Sequence, residues 1–161
     1  MKNLLTVVGD GNAGPVLDTA LLAAQRFNSH IVGLHSLTTE YAVVFGGEMG
    51  FSISSEVDRT LEREGHDRRD QARRLFRDFM DAKGVPVEPV PAGHNGPTAA
   101  WREEDGRQQA HGESFRKEAT AAGADLLLKG AYTQSRIRQM IFGGGTRHII
   151  MESKIPVLMA R

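Results

Sequence analysis

The stretch ADLLLKG at residues 124–130 and the stretch FGGGTRH at residues 142–148 decide the fold of this chain. A short, continuous apolar run predicts a buried strand, and three successive glycines predict a turn. We expect a helix from Thr146 to Ser153 after the turn, and then a strand from Ile155 to Ala160. Free backbone N–H groups and the positive end of a helix dipole would then meet at the carboxyl edge of a sheet. The sequence therefore predicts an anion-binding site at that edge.

Basic side chains flank the glycine turn, at Lys129, Arg136, Arg138 and Arg147. Positive charge beside free N–H groups favours phosphate over a neutral ligand. An ordinary basic helix face is the alternative interpretation of the same residues.

The beginning of the chain has the same alternation of strand and helix. Leu4 to Val8 is an apolar run, GDGNAG at residues 9–14 is a turn, and Pro15 suits the first position of a helix. Apolar residues then recur on one side of a helix that ends at residues 28–29, and a strand follows from His30 to His35. Two strands joined by a helix are expected to be parallel, with a right-handed crossover.

The middle of the chain predicts a long helix and an irregular strand. The helix begins at residue 54 or 55 and runs to about Ala82, and Val85 to Val90 is a strand whose two prolines indicate an edge position. The polar stretch from Gly93 to Gly112 predicts a short helix or a loop, and Glu113 to Ala122 predicts a helix that Gly123 ends. This order predicts one α/β domain over residues 1–161, with a five-stranded parallel sheet sandwiched by helices.

Composition excludes several function classes. The chain has 161 residues, its 20 basic and 20 acidic side chains balance, and it has no cysteine. Without a net positive charge we expect no nucleic-acid partner and no anionic membrane surface as a partner. The lack of cysteine excludes disulfides, thiolate metal ligands and thiol catalysis. The apolar run at residues 4–8 is too short for a signal-peptide core or a membrane span, so we expect a cytoplasmic protein.

The carboxyl-terminal stretches resemble the universal stress protein family. One branch of that family has an ATP site marked by glycine, two residues, glycine, nine residues, glycine and then serine or threonine. These places fall on Gly130, Thr133, Gly143 and Gly144, so the outer glycines and the spacing match, while threonine and glycine occupy the second and fourth places. Thr146, two residues later, can supply a hydroxyl group or a helix cap. Asp10 matches the acidic residue that the family has at the end of its first strand.

The resemblance implies an adenine-nucleotide alpha-hydrolase-like (Rossmann-like) domain that binds ATP or another adenine nucleotide, with or without Mg²⁺. Asp10 would hold the ribose or Mg²⁺, with capping of the first helix as the alternative, and Val32 would line the adenine pocket. It also implies a homodimer through residues 155–160, and a role in stress response through binding rather than rapid turnover. The residues expected to bind the nucleotide are Gly9, Asp10, Gly11, Val32, Gly130, Thr133, Arg136, Gly143, Gly144, Gly145 and Thr146.

Other function classes stay open at this point. A regulatory dimer that needs no nucleotide could dock a partner protein through the apolar segment at residues 41–51. The spacing Gly9-x-Gly11-x-x-Gly14 matches the dinucleotide fingerprint, but no acidic residue ends the second strand. A slow ATPase or small-molecule hydrolase would need a general base, and the acidic residues cluster away from the predicted site. The six histidines have no paired spacing typical of a metal site.

Overall fold

The computed structural model describes residues 2–9, 13–36, 55–89, 96–104, 117–130 and 153–160. At its centre is a sheet of five strands in the order β3-β2-β1-β4-β5, and each neighbouring pair is parallel. The predicted five-stranded parallel α/β fold is confirmed. The strands are β1 (Asn3–Val7), β2 (His30–Ser36), β3 (Thr98–Glu104), β4 (Leu126–Gly130) and β5 (Val157–Ala160).

Two helices are described in full, α1 (Gly14–Phe27) and α2 (Ser55–Ala82), and residues 117–121 are also helical. Pro15 lies in the first turn of α1, where its missing N–H costs nothing. Asn28 ends α1 in the left-handed conformation, with φ 50°, and its backbone N–H donates to the carbonyl of Ala24. Gly123 has a φ of 55°, so glycine ends the helical residues 117–121 in the same way, as predicted.

Along the parallel strands, apolar side chains point alternately to the two faces of the sheet, and described helical residues pack on each face. Leu4, Ile31 and Leu128 point to the face on which α1 and α2 pack, which we call the α1/α2 face. Leu5, Leu34 and Leu127 point to the opposite face and pack with Ala119 and Ala124. From α1 and α2 the buried contributors are Val16, Leu17, Ala20, Leu21, Ala24, Ala72, Phe76 and Met80.

At Gly33 in β2 the sheet and α2 approach each other closely. A Cβ atom added there would lie 2.5 Å from Cε2 and 2.7 Å from Cδ2 of Phe76. Phe76 is fully buried, and its ring lies against Trp101 of β3 with centroids 5.2 Å apart. Because residue 33 is glycine, α2 can pack directly against β2.

A buried polar pair joins the starts of β2 and β3. Nδ1 of His30 lies 2.7 Å from Oγ1 of Thr98, and the two residues face each other in register. Burial lowers the pKa of His30, the charge of Arg102 lowers it further, and Glu88 opposes the change. The folded protein therefore favours neutral His30, which can share a hydrogen bond with the threonine hydroxyl.

The third strand is Thr98–Glu104, and the prediction of a strand from Val85 to Val90 was wrong. Among residues 85–89, the part of that segment that the structure describes, only Val87 bridges to the sheet, opposite Ala99. The backbone N–H of Glu88 donates to the carbonyl of Ala99, and the N–H of Ala99 donates to the carbonyl of Pro86. Pro86 and Pro89 have no N–H to donate, so a longer ladder is not available to this segment.

The remaining elements match the predictions where they are described. The helix α2 is confirmed, and β5 starts at Val157 rather than Ile155, with the carbonyl of Pro156 accepting from the N–H of Leu127. Of the predicted helix at 113–122 the structure describes residues 117–122, and 117–121 are helical. The predicted helix at 146–153, apart from Ser153, and the segment 41–51 lie outside the described residues.

Candidate functional site

The strand order creates a switch point between β1 and β4. Chain crossovers lead from β1 to β2 and β3 on one side, while β4 and β5 lie on the other. In doubly wound sheets of this kind, ligands bind in the crevice outside the carboxyl ends of the strands where the order reverses. The carboxyl ends of β1 and β4 therefore mark the candidate site.

Hydrogen bonds at the opposite edge fix the register of β1 against β4. The carboxylate of Asp125 accepts from the backbone N–H groups of Lys2 and Asn3, and Nδ2 of Asn3 donates to the carbonyl of Ala122 at 2.8 Å. Those two backbone hydrogen bonds hold the pKa of Asp125 below its ordinary value. With Leu4 opposite Leu126, the two strands run side by side toward the carboxyl edge.

Two predicted binding residues lie at the switch point. Gly9 lies two residues after the end of β1, and Gly130 is the last residue of β4. The β1–β2 pairing continues to this edge, because the N–H of Val8 donates to the carbonyl of Leu34 at 2.9 Å. The crevice is thus flanked by a glycine just beyond β1 and by a glycine at the end of β4, and neither has a side chain to obstruct a ligand.

Val32 lies elsewhere, in the middle of β2. It is 4% exposed and belongs to the buried cluster with Leu5 and Leu127. The residue of β2 at the carboxyl edge is Ser36, which no sequence pattern had selected. The role of Val32 in an adenine pocket stays a prediction. The other predicted residues, Asp10, Gly11, Thr133, Arg136, Gly143, Gly144, Gly145 and Thr146, lie outside the described residues.

Toward β3, the α1/α2 face of the same edge has an aromatic pair. His35 is buried, and its Nδ1 donates to the carbonyl of Val8 at 2.9 Å. The imidazole stacks on the indole of Trp101, with centroids 6.5 Å apart and planes at 14°. The two stacked rings cover the α1/α2 face of the sheet beside β1.

Glu103 ties α2 to the end of β3. Its Oε1 accepts from Nε1 of Trp101 at 2.7 Å and from Nε of Arg73 at 2.7 Å, and Nε of Arg69 lies 3.7 Å from Oε2. Burial by itself raises the pKa of this carboxyl, but the hydrogen bonds from Trp101 and Arg73 and the charges of both arginines hold it below its ordinary value. The carboxylate is thus kept ionised, and it fixes residues 69–73 of α2 level with the carboxyl edge. Sequence patterns alone did not select this cluster.

The opposite face of the edge carries a row of side chains across all five strands of the sheet. Arg102 lies opposite Leu34, Leu34 lies opposite Val7, and Lys129 lies opposite Met159. Leu5 lies opposite Leu127 in parallel register. Two residues further along both strands, Val7 therefore lies beside Lys129. Arg102 pairs with Glu118 at 3.5 Å, while burial lowers the pKa of Lys129.

In the described part of the chain, no group of histidine and acidic side chains could hold a metal ion, and no helix is long and apolar enough to cross a membrane. Asp10, the predicted Mg²⁺ ligand, is outside that part. Its role stays a prediction.

These features define the class: a doubly wound, parallel α/β domain of the kind that binds nucleotides at a switch point. Within that class, the structure has the fold of the universal stress proteins. It superimposes on the universal stress protein UspA from Lactobacillus plantarum with a TM-score of 0.66 and 14% identity, covering 99% of this chain and 97% of that one. The predicted resemblance is thereby confirmed at the level of the fold.

Two other similar structures contain a nucleotide. A universal stress protein in complex with cAMP has a TM-score of 0.58 and 20% identity, covering 99% of this chain and 97% of that one. A universal stress protein from Archaeoglobus fulgidus in complex with dAMP has a TM-score of 0.61 and 15% identity, covering 100% and 98%. No family model matches the sequence, and no curated protein matches it.

Proposed function

We propose that this chain binds an adenine nucleotide in the crevice between the carboxyl ends of β1 and β4, and acts in stress response through that binding rather than through rapid turnover. The observation that carries the proposal is the switch point with a glycine at the carboxyl end of each flanking strand: Gly9, two residues beyond β1, and Gly130, the last residue of β4. A phosphate group can approach backbone N–H groups closely where no side chain stands in the way, and glycine meets that condition.

The similar structures support the choice of adenine. Proteins of this fold hold cAMP and dAMP, and each covers nearly the whole of this chain. The sequence adds the glycine spacing from Gly130 to Gly144, followed by the hydroxyl group of Thr146. ATP with Mg²⁺ at Asp10 is the fuller form of the proposal, because a carboxylate at a strand end beside phosphates is a usual Mg²⁺ ligand.

Isothermal titration tests the proposal directly. The full chain is titrated with AMP, cAMP and ATP, the last with and without Mg²⁺, and with GMP as the control ligand. We expect binding of at least one adenine nucleotide that GMP does not reproduce. If Asp10 is the Mg²⁺ ligand, Asp10→Asn removes the difference between ATP with and without Mg²⁺. No heat with any adenine nucleotide up to millimolar concentration overturns the proposal and favours the regulatory dimer that docks through residues 41–51.

A variant at the crevice separates specific from adventitious binding. Gly130→Val adds a branched side chain at the last residue of β4, and we expect it to weaken nucleotide binding at least ten-fold. The far-ultraviolet circular dichroism and melting temperature of the variant check that it folds. Unchanged affinity in a folded variant would place the nucleotide elsewhere.

We also propose a homodimer through β5. This strand is at the edge of the sheet and pairs with β4 alone among the described strands, and its Leu158 is 41% exposed. An apolar edge strand is a template for pairing with a second copy. Leu158→Lys should convert the dimer to a monomer in size-exclusion chromatography with light scattering. The matched control is Leu22→Lys at an exposed position of α1, which should leave the dimer intact. A monomeric wild-type protein at micromolar concentration would contradict the pairing.

A further inference from the structure

The pairing of β1 with β4 stops before the carboxyl edge of the sheet. Their register ends with Thr6 opposite Leu128, two residues before the last residue of β4. The pairing of β4 with β5 continues to that last residue, Gly130. On its other side, β1 stays joined to β2 as far as Val8, whose N–H donates to the carbonyl of Leu34. The backbone ladder therefore ends earlier at the crevice than on either side of it.

A side chain completes the bonding of β1 to β2. The carbonyl of Val8 accepts from Nδ1 of His35 at 2.9 Å. Because a carbonyl oxygen can only accept, the imidazole carries a hydrogen on Nδ1. Both backbone groups of Val8 are thus bound on the β2 side, the N–H by the main chain and the carbonyl by the His35 ring.

This contact sets the direction of the next N–H group. The carbonyl of Val8 and the N–H of Gly9 belong to one trans peptide unit, in which the two groups point in opposite directions. Since the carbonyl is directed to β2, the N–H of Gly9 is directed away from β2, to the side of β4. Gly9 is exposed, and among the described residues no hydrogen bond engages its N–H. The crevice therefore has a backbone donor of fixed direction.

The imidazole that fixes this direction is itself held in place. His35 is buried, and its ring stacks on Trp101 with planes at 14°. Nε1 of Trp101 in turn donates to Glu103 at 2.7 Å. Turning the imidazole away from Val8 would break the stack, so the donor at Gly9 is oriented before a ligand arrives. A group that is already oriented loses little conformational entropy on binding.

We propose that His35 is a positioning residue of the crevice: by holding the carbonyl of Val8, it directs the N–H of Gly9 to an oxygen acceptor of the bound nucleotide. The inference rests on the proposed function and deepens it. Both the ribose and the phosphate of a nucleotide carry such oxygens, and titrations with AMP and adenosine distinguish them.

Two substitutions at residue 35 separate the hydrogen bond from the aromatic stack. His35→Phe keeps a ring against Trp101 and removes the donor, whereas His35→Asn restores an N–H the same number of bonds from the backbone as Nδ1. We expect His35→Phe to lower the affinity for AMP by about five- to ten-fold, the effect of one hydrogen bond, and His35→Asn to retain most of it. A loss for AMP and adenosine alike places the acceptor on the nucleoside, and a loss for AMP alone places it on the phosphate.

The amide signal of Gly9 provides a direct readout. In nuclear magnetic resonance spectra of protein with isotope-labelled glycine, this signal should shift when AMP binds to the wild type. It should shift much less in His35→Phe, and again in His35→Asn. The wild-type signal tests the inference even if His35→Phe fails to fold.

The matched control is His30→Phe. His30 is the other buried histidine of β2, and its Nδ1 bonds to Thr98 at the amino edge, away from the crevice. This variant should keep its affinity for AMP within about two-fold, because distant sites act independently. If His35→Phe binds AMP as the wild type does, if both variants lose affinity equally, or if the Gly9 signal of the wild type does not respond to AMP, the inference is overturned while the proposed function stands. If the wild type binds no adenine compound, both are overturned together.

Discussion

Replacing Gly33 by alanine should push α2 away from the sheet. The new Cβ would lie 2.5 Å from Cε2 of Phe76, far inside the 3.5–4.0 Å at which carbon atoms attract each other. Overpacking of this kind costs about 1–3 kcal/mol. Removing glycine from a strand returns about 0.5–1 kcal/mol, because the unfolded chain becomes less flexible. We expect a net loss of about 1–2 kcal/mol in the free energy of unfolding. For a chain of this length the melting temperature would fall by roughly 2–8 °C.

The assay is urea unfolding followed by tryptophan fluorescence. Trp101 is the single tryptophan, and its indole lies 5.2 Å from the ring of Phe76, so its emission reports this contact. A Phe76→Leu variant completes a double-mutant cycle. The double variant should lose about 1 kcal/mol less than the sum of the single losses, because the smaller side chain makes room for the methyl group. Unchanged or increased stability of Gly33→Ala, or strict additivity, would refute the close-packing argument.

Three further predictions concern the edges and ends of the elements. Glu103→Gln should lower the free energy of unfolding by about 1–2 kcal/mol, because two partly buried arginines lose their anion. The control is Glu64→Gln, since Glu64 forms an exposed helical ion pair with Arg68. In the same urea assay the control should change the free energy of unfolding by less than about 0.5 kcal/mol. His30 has a folded pKa below its ordinary value of 6.5, so the unfolded chain binds more protons, and stability falls as pH drops below 6.5. Urea titrations at pH 7.5 and 5.5 should differ less for His30→Asn than for the wild type, and an equal difference would exclude His30 as the cause. Asn28→Ala should lower the melting temperature through a loss of about 1 kcal/mol, since alanine tolerates φ 50° poorly, whereas Asn28→Gly should not.

The parts of the fold that the sequence predicts are those with a strong apolar pattern. The runs at 4–8 and 124–130 become β1 and β4 because buried parallel strands need side chains that fill both faces of the sheet. The third strand was assigned to the wrong segment for a physical reason. Thr98–Glu104 has one β-branched residue, Thr98, followed by two alanines, and it ends in charged residues, while Val85 to Val90 has three valines. Pairing with β2, rather than local β propensity, determines which segment forms the third strand.

The candidate site was predictable only in outline. Glycines after apolar runs indicated Gly9 and Gly130, and both lie at the switch point. The role of Val32 in the adenine pocket was inferred from the family resemblance. Its depth in the sheet depends on how far β2 extends beyond it, and the register of β2 with β1 and β3 determines that length. The contacts of Glu103 with α2 join residues 30 positions apart, so no spacing in the sequence announces them.

The length of α2 has a mechanical consequence for the crevice. A helix of 28 residues rises about 42 Å, and among its described side chains the fully buried ones, Ala72, Phe76 and Met80, belong to its second half. Since Arg69 and Arg73 meet Glu103 level with the ends of the strands, the part of α2 before Arg69, roughly 20 Å of helix, extends beyond the carboxyl edge of the sheet. A force on that part of the helix would reach the sheet first through the contacts of the two arginines with Glu103, ahead of the buried residues Ala72, Phe76 and Met80.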